Sequence, residues 1–386
     1  MSSHLELIKF IRQLYNTKNN IVLHEPFFDE QEKKILLEVI DSNFVSSVGK
    51  MVSDFEEQLQ VFTGSKNVIA TSNGTSALHT ALILADVTSD HEVLTQSLSF
   101  VATSNAISYL GASPIFIDVD RDSFSMSPDC LETFLDQNTE IRDDGFSWNI
   151  KTNKQIRACI IMHTFGLAGK MSEIKSICEK NNIMLIEDSA ESLGSIYKDK
   201  HTGTMGDIGI ISFNGNKIIT TGGGGCLLIN DNDLARKARH ITTTAKLDNQ
   251  WFFEHDQVAY NYRMPNLNAA VGIAQMGKLD FFITTKRKIA NAYQDWALKK
   301  GVKLAKELPS TKSNYWLNAL IAKDIDHRDK ILSETNKNGV MTRPAWTPMH
   351  FLPMNSHYQK SSMVNTEWLF DRIVNLPSSV KNNLRI

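Results

Sequence analysis

Two residues stand out for the chemistry their surroundings allow. Lys217 lies in the stretch "GIISFNGNKIITTGGGGCLLIND", between two apolar runs and shortly before four glycines, Gly222 to Gly225. Asp188 closes another apolar run, "NIMLIEDSAESLG". A carboxylate at the end of a buried strand is costly to ionise unless a cation or hydrogen-bond donors meet it. Taken singly, the acid also fits a helix N-cap and the lysine a solvated turn. Taken together, an acid at one strand end and an amine after the next strand suit pyridoxal phosphate. The lysine forms an imine with that cofactor's aldehyde. The aspartate pairs with the pyridine nitrogen and keeps it protonated, so the ring can accept the electrons of a carbanion.

Such a cofactor needs a seat for its phosphate. In "SNGTSALHTAL", Gly74, Thr75 and Ser76 open an apolar-periodic helix after a strand. Backbone N–H groups there favour an anion, and the two hydroxyls add donors. Ordinary N-capping explains the same residues equally well. Ser212, on the strand end that leads to Lys217, is a further phosphate candidate. Phe100, in "SLSFVATSN", follows another strand end and could stack on a planar ring; a core position would suit it too. The glycine run lets the backbone turn tightly and pass close to a bulky group. No G-x-x-x-x-G-K-[ST] and no suitably placed G-x-G-x-x-G occurs, which weakens nucleoside triphosphate and dinucleotide readings. The eleven histidines are dispersed without H-E-x-x-H, so no metal site is expected.

The elements that must position these residues read as α/β. Candidate strands cover residues 67–72, 92–96, 114–120, 157–163, 183–188, 208–213 and 226–231, with helical patterns such as "TSALHTALILADV", "FVATSNAISYLG", "SPDCLETFL" and "MSEIKSICEKNN" between them. Strands that are apolar throughout and separated by helices imply a mostly parallel, seven-stranded sheet covered on both faces. Functional residues then collect at the carboxyl ends of the strands. The polar stretch Asp136–Gln155 reads as a surface excursion. Leu5, Ile8, Ile11 and Tyr15 predict a short amphipathic helix at the start. A long helical pattern runs from near Pro265 toward Leu298. The division expected is 1–264, the first helix plus a large cofactor-binding domain, and 265–386, a bridging helix plus a smaller α+β domain.

Composition is ordinary, with 42% hydrophobic residues, 22% charged residues and a net charge of −2 over 386 residues. That balance gives no pull toward nucleic acid or an anionic membrane surface. The four scattered cysteines read as reduced thiols. No apolar run approaches the ~20 residues that cross a bilayer. A cytoplasmic protein with no nucleic-acid or membrane partner is expected.

Larger blocks of sequence carry a resemblance. "NGTSAL", "SFVAT", "GASPIFIDVD", "HTFG", "IEDSAESLG", "SFNGNK", "GGGG" and "YNYRMPNLNAA" resemble the DegT/StrS-type nucleotide-sugar aminotransferases, pyridoxal phosphate enzymes of the aspartate aminotransferase fold (fold type I). The likeness is clear from about Ile21 to about Asp280 and looser beyond. It implies that Lys217 is the Schiff-base lysine and Asp188 the pyridinium partner. It implies that Gly74, Thr75, Ser76 and Ser212 surround the phosphate and that Phe100 stacks on the ring. Asn261 in "YNYR" matches a position that reaches the phosphate of a neighbouring subunit, which implies a homodimer with a shared active site. Glu191 stands where many members carry Gln or His near the ring's 3-oxygen. A carboxylate beside a phenolate repels it unless one of them is protonated.

The wording "VSSVGK", "EDSAESLGS", "TTTAK" and "YNYRMPN" looks most like the branch serving legionaminic acid and bacillosamine routes. That likeness implies transfer of an amine from L-glutamate, released as 2-oxoglutarate, to C4 of a UDP-4-keto-6-deoxy-N-acetylhexosamine. The product would be UDP-4-amino-4,6-dideoxy-N-acetylglucosamine, with pyridoxamine 5'-phosphate as the intermediate cofactor form. Lys50, Lys246, Arg263, Arg343, Trp346 and His350 are candidates for facing the nucleotide or sugar, and surface charge or core packing would explain them as well. The alternatives are amination at C3, a GDP- or dTDP-linked ketosugar, or a non-catalytic sugar-binding protein of the same fold. A dehydratase relative carries histidine at the lysine position, whereas this chain has Lys217.

Overall fold

The computed structural model describes residues 3–386. Three helices come first: α1 (Ser3–Leu14), α2 (Glu30–Ser42) and α3 (Lys50–Thr63). Sheet strands follow: β1 (Asn67–Thr71), β2 (His91–Gln96), β3 (Ser113–Ile117), β4 (Thr139–Ile141), β5 (Ser147–Asn149), β6 (Lys154–Met162) and β7 (Met184–Asp188). A small hairpin, β8 (Ile196–Tyr197) and β9 (Lys200–His201), precedes β10 (Ile208–Ser212) and β11 (Gly225–Ile229). The seven apolar runs lie in the order β1-β11-β10-β7-β6-β2-β3. From β10 to β3 every neighbour is parallel, while β11 runs antiparallel to both β1 and β10.

The sheet is nonetheless nine-stranded, because the polar stretch expected as a surface excursion supplies the pair β4 and β5, and β5 joins β6. Its polarity hid it: Asn149 hydrogen-bonds the buried Glu92 at 2.8 Å, and Trp148 packs under Arg142 rather than in an apolar core.

Both faces of the sheet are covered. On one, α4 (Gly74–Leu84), α5 (Val101–Tyr109) and, later in the chain, Ala235, Ala238 and Ile241 pack on Val93, Ile160, Ile186 and Ile210. On the other, α6 (Pro128–Asn138) and α7 (Met171–Lys180) cover Leu94, Cys159 and Leu185. Burying these apolar strands and helix faces is the main stabilising term. It fixes the strand ends as one rigid rim on which polar groups can be placed.

The long helical pattern resolves into two helices after α8 (Asn232–Thr242): α9 (Asn266–Met276) and α10 (Leu279–Lys300). They part at Gly277 and Lys278, where Lys278 pairs with Asp29 and Glu32 beside α2. Beyond lie β12 (Lys303–Leu304), β13 (Thr311–Lys312), β14 (Asn318–Ile321), α11 (Ile325–Lys337), β15 (Arg343–Pro344), α12 (Val364–Phe370) and β16 (Ile373–Leu376). A second, antiparallel sheet runs β12-β14-β16-β15, and β13 instead joins β8 and β9. The apolar face of α1 is Leu7, Ile8, Ile11 and Leu14, with Leu5 exposed, and it packs on Tyr293, Leu320 and Val374. We place the main boundary at residues 264 and 265 and assign α1 to the smaller region on which it packs.

Candidate active site

Parallel strands deliver the polar groups to one rim. Asp188 ends β7 and is buried. Its Oδ2 accepts from Thr103 Oγ1 at 2.9 Å, and its Oδ1 from the Ala190 N–H at 3.2 Å. Burial pushes the Asp188 pKa up, while these two donors and Lys217 pull against it. The acid therefore caps no helix. It is held inside the cavity by a hydroxyl one turn into α5.

Lys217 lies in the loop that leaves β10. Its N–H donates to Asn214 O at 2.9 Å, a tight turn that sends the side chain back into the cavity. Nζ stands 3.2 Å from Glu191 Oε1 and 4.3 Å from the centre of the Trp316 ring. The lysine is thus not a solvated turn residue. Glu191 Oε2 accepts from the N–H of Phe165, whose backbone is left-handed with φ 58°. Burial raises the Glu191 pKa to about 7 against the pull of Lys217.

These groups line one cavity of about 320 Å³, walled by Thr75, Phe100, Asp188, Ser212, Lys217 and Trp316 among others. The loop that opens α4 forms one end. Asn73 is its N-cap, accepting from Ser76 N–H at 2.8 Å, so the Gly74 and Thr75 amides begin the helix without intrahelical partners. Ser76 departs from expectation. Its hydroxyl contacts Ser72 and Asn73, both at 3.1 Å, and stays off the cavity wall. Within the glycine run, Gly225 serves that loop. A Cβ on Gly225 would lie 2.6 Å from the backbone of Asn73 and Gly74, and one on Gly74 would lie 3.0 Å from Ser212 Cβ. Strand and loop approach so closely because neither carries a side chain there.

Phe100 precedes α5 with half its surface open, its ring edge-on to Trp346 at 6.3 Å. It lines the cavity, as does Trp346. The other substrate candidates do not. Lys50 is exposed and paired with Asp54 at 2.7 Å, because α3 points its first turn outward. Lys246 rests over the exposed Phe253 ring. Arg263 forms an isolated backbone bridge with Thr71. His350 is core, packed between Ser97 at 2.6 Å and Glu367 at 3.2 Å. Arg343 lines a neighbouring cavity. Asn261 is exposed, bridged to Thr243, and off this chain's own cavity wall.

Of the wall residues that escaped the sequence reading, two bear on the chemistry. Thr103 stands one helical turn after Phe100, a spacing that could have marked it. Trp316 comes from a segment a hundred residues away, and nothing local signals it. Its Nε1 donates to Asn216 O at 2.7 Å, which ties the second region to the Lys217 loop. Behind Asp188, the fully buried His163 and Glu187 pair at 3.0 Å, and Glu187 also accepts from the N–H groups of Gly203, Met205 and Gly206. Burial pushes the Glu187 carboxyl up, but His163 first and then the Gly206 and Gly203 amides outweigh it and hold it below the usual range.

The cavity suits a flat ring with an anion at one end and a basic nitrogen at the other. For such a group, the free amides, Thr75 and Ser212 would offer donors to the anion, Asp188 a carboxylate to the nitrogen, and Lys217 an amine to an electrophilic carbon.

Comparison with known proteins agrees. Residues 26–384 match the DegT/DnrJ/EryC1/StrS aminotransferase family. A Bacillus subtilis (strain 168) protein named "Putative pyridoxal phosphate-dependent aminotransferase EpsN" is 37% identical, covering 93% of this chain and 90% of its own. The GDP-perosamine synthase of Vibrio cholerae is 33% identical, covering 93% and 94%. Among solved structures, a DegT DnrJ EryC1 StrS aminotransferase from Brucella abortus superposes with a TM-score of 0.82 at 26% identity, covering 90% of each chain. The fold is that of pyridoxal phosphate fold type I.

Proposed function

The chain belongs to the DegT/DnrJ/EryC1/StrS aminotransferase family, and from that premise we propose that it aminates C4 of a UDP-linked 4-keto-6-deoxy-N-acetylhexosamine. It is a pyridoxal phosphate-dependent sugar aminotransferase. L-Glutamate is the proposed donor and UDP-4-amino-4,6-dideoxy-N-acetylglucosamine the product, destined for a surface glycan.

When bound, the cofactor supplies an electron sink for a carbanion beside its ring. The chain's own residues do the rest. Lys217 Nζ anchors the cofactor, takes a proton from the α-carbon of glutamate and returns one to C4 of the sugar. Asp188 holds the proton on the ring nitrogen, with Thr103 fixing its carboxyl. The α4 amides, Thr75 and Ser212 bind the phosphate, and Phe100 covers the ring. Glu191, with its pKa raised to about 7, meets the 3-oxygen as an acid below that pH. Trp316 and Trp346 exclude water from the reacting end. Asn261 reaches the phosphate of a neighbouring subunit, so a homodimer is the working unit. No described helix is long and apolar enough to cross a membrane, and we assign the enzyme to the cytoplasm.

The observation that carries this reading is the placement of Lys217 and Asp188 in one cavity. A panel of UDP-, GDP- and dTDP-linked 4-ketosugars with glutamate tests the substrate. Amination of the UDP-N-acetylhexosamine at C4 is expected, and turnover of another member alone would replace this assignment. The likeness to GDP-perosamine synthase makes a GDP-linked ketosugar the second reading.

A further inference from the structure

Lys217 Nζ meets two side chains, Glu191 from the segment after β7 and Trp316 from the segment before β14. Neither belongs to the loop that carries the lysine. One buried residue joins them from outside. Asn314, between β13 and β14, is fully buried and is not among the residues that line the cavity. Its Nδ2 donates to Glu191 O and to Leu193 O, both at 2.9 Å. Its Oδ1 accepts from the Trp316 N–H at 2.8 Å, and its own N–H donates to Ser195 Oγ at 2.9 Å.

The side-chain partners are main-chain groups of fixed polarity, two carbonyls and one N–H. An amide turned this way satisfies all three, and a carboxylate does not. The packing around it leaves little slack. A Cβ on Gly166, which has a left-handed φ of 91°, would collide with Asn314 Oδ1. Gly166 O in turn accepts from Ser195 Oγ at 2.7 Å and from Ser313 Oγ at 2.9 Å. The preceding residue, Phe165, gives its N–H to Glu191 Oε2 at 2.9 Å. Segments that follow β6 and β7 and one that precedes β14 therefore meet at a single amide.

We propose that Asn314 is a positioning residue for the reaction: it locks the main chains of Glu191 and Trp316 together and so sets where Lys217 Nζ stands. A lysine side chain is flexible, and a carboxyl oxygen on one side with an indole face on another restricts it. Small displacements of a reacting group cost large factors in rate. A buried, satisfied asparagine can serve the fold alone. Here its bonds end on the main chains of both residues that touch the lysine, which a fold-only role would not require. The inference rests on the proposed role of Lys217.

Capture of pyridoxal phosphate by the cofactor-free protein tests it, followed by stopped-flow absorbance for wild type, Asn314→Asp and Asn314→Ser. Asn314→Asp keeps the shape and the acceptor for Trp316 but loses both donors, and Asn314→Ser loses the whole amide. Capture should slow by about tenfold or more in each. Pyridoxamine phosphate has no aldehyde for Lys217 and needs only the ring and phosphate seat, so its affinity should hold within about twofold. Capture at the wild-type rate or faster in a folded variant would overturn the inference. An equal weakening of pyridoxamine phosphate, or loss of the folded circular dichroism spectrum in both variants, would make Asn314 a residue of the fold in general and overturn it too. A wild type that captures no pyridoxal phosphate would sink the role of Lys217 itself, and the inference with it.

Discussion

Glu191 is the residue whose protonation matters most for this pocket's pH behaviour. Its carboxyl titrates near 7 in the folded chain against 4.5 as reference. A raised acid favours the folded state below its unfolded pKa, and that stability is lost as pH rises through the folded one. Thermal melts of cofactor-free wild type should therefore decline relative to Glu191→Gln between about pH 5 and about pH 8. A constant difference across that window would refute the shift. Thr103 allows a second test at the same scale. Thr103→Val removes a donor from the buried Asp188 carboxylate, a loss of about 1–2 kcal/mol. It should lower kcat by about tenfold, with a slightly lower Tm and an unchanged circular dichroism spectrum of the folded protein. Both Lys217 and Asp188 were legible in the sequence, because a lone cation and a lone acid at apolar strand ends are anomalies that demand a partner. Ser76 and His350 misled, since a hydroxyl or an imidazole has many local uses and type alone does not reveal which way it turns.

At the scale of elements, the close passage of β11 behind the α4 loop sets the proposed phosphate seat. Gly225→Ala would press a methyl group to 2.6 Å from the Asn73–Gly74 backbone. Overpacking of this kind costs about 1–3 kcal/mol. The expected result is a lower Tm together with weaker pyridoxal phosphate retention on dialysis. Normal retention would mean that the loop position is unimportant for the anion. The seven core strands were readable because each is apolar along its length and bounded by helical periodicity. The β4–β5 pair was not, because its contacts are polar and cationic rather than hydrophobic. The break between α9 and α10 falls at Gly277 and Lys278, where a single glycine inside an apolar-periodic pattern is the only local sign.

For the whole molecule, contacts between distant segments complete the site. Trp316, from the smaller region, closes over Lys217, and Lys286 donates to Trp316 O at 3.1 Å and to Ser378 O at 2.7 Å to hold that segment in place. No local pattern announces such long-range packing. If Asn261 serves a neighbour's phosphate, inactive Lys217→Ala and Asn261→Ala chains should complement each other. Mixed after dissociation and reassociation, they should recover activity that neither shows alone, through dimers that hold one intact site. Absence of recovery in verified mixed dimers would argue for a site built within one chain. The most direct test of the central claim is borohydride reduction of the protein loaded with pyridoxal phosphate, followed by peptide mass mapping. The account predicts a pyridoxyl group on the peptide bearing Lys217 and none on the Lys217→Ala protein. A modification fixed on another lysine, or no stable adduct at all, would contradict it.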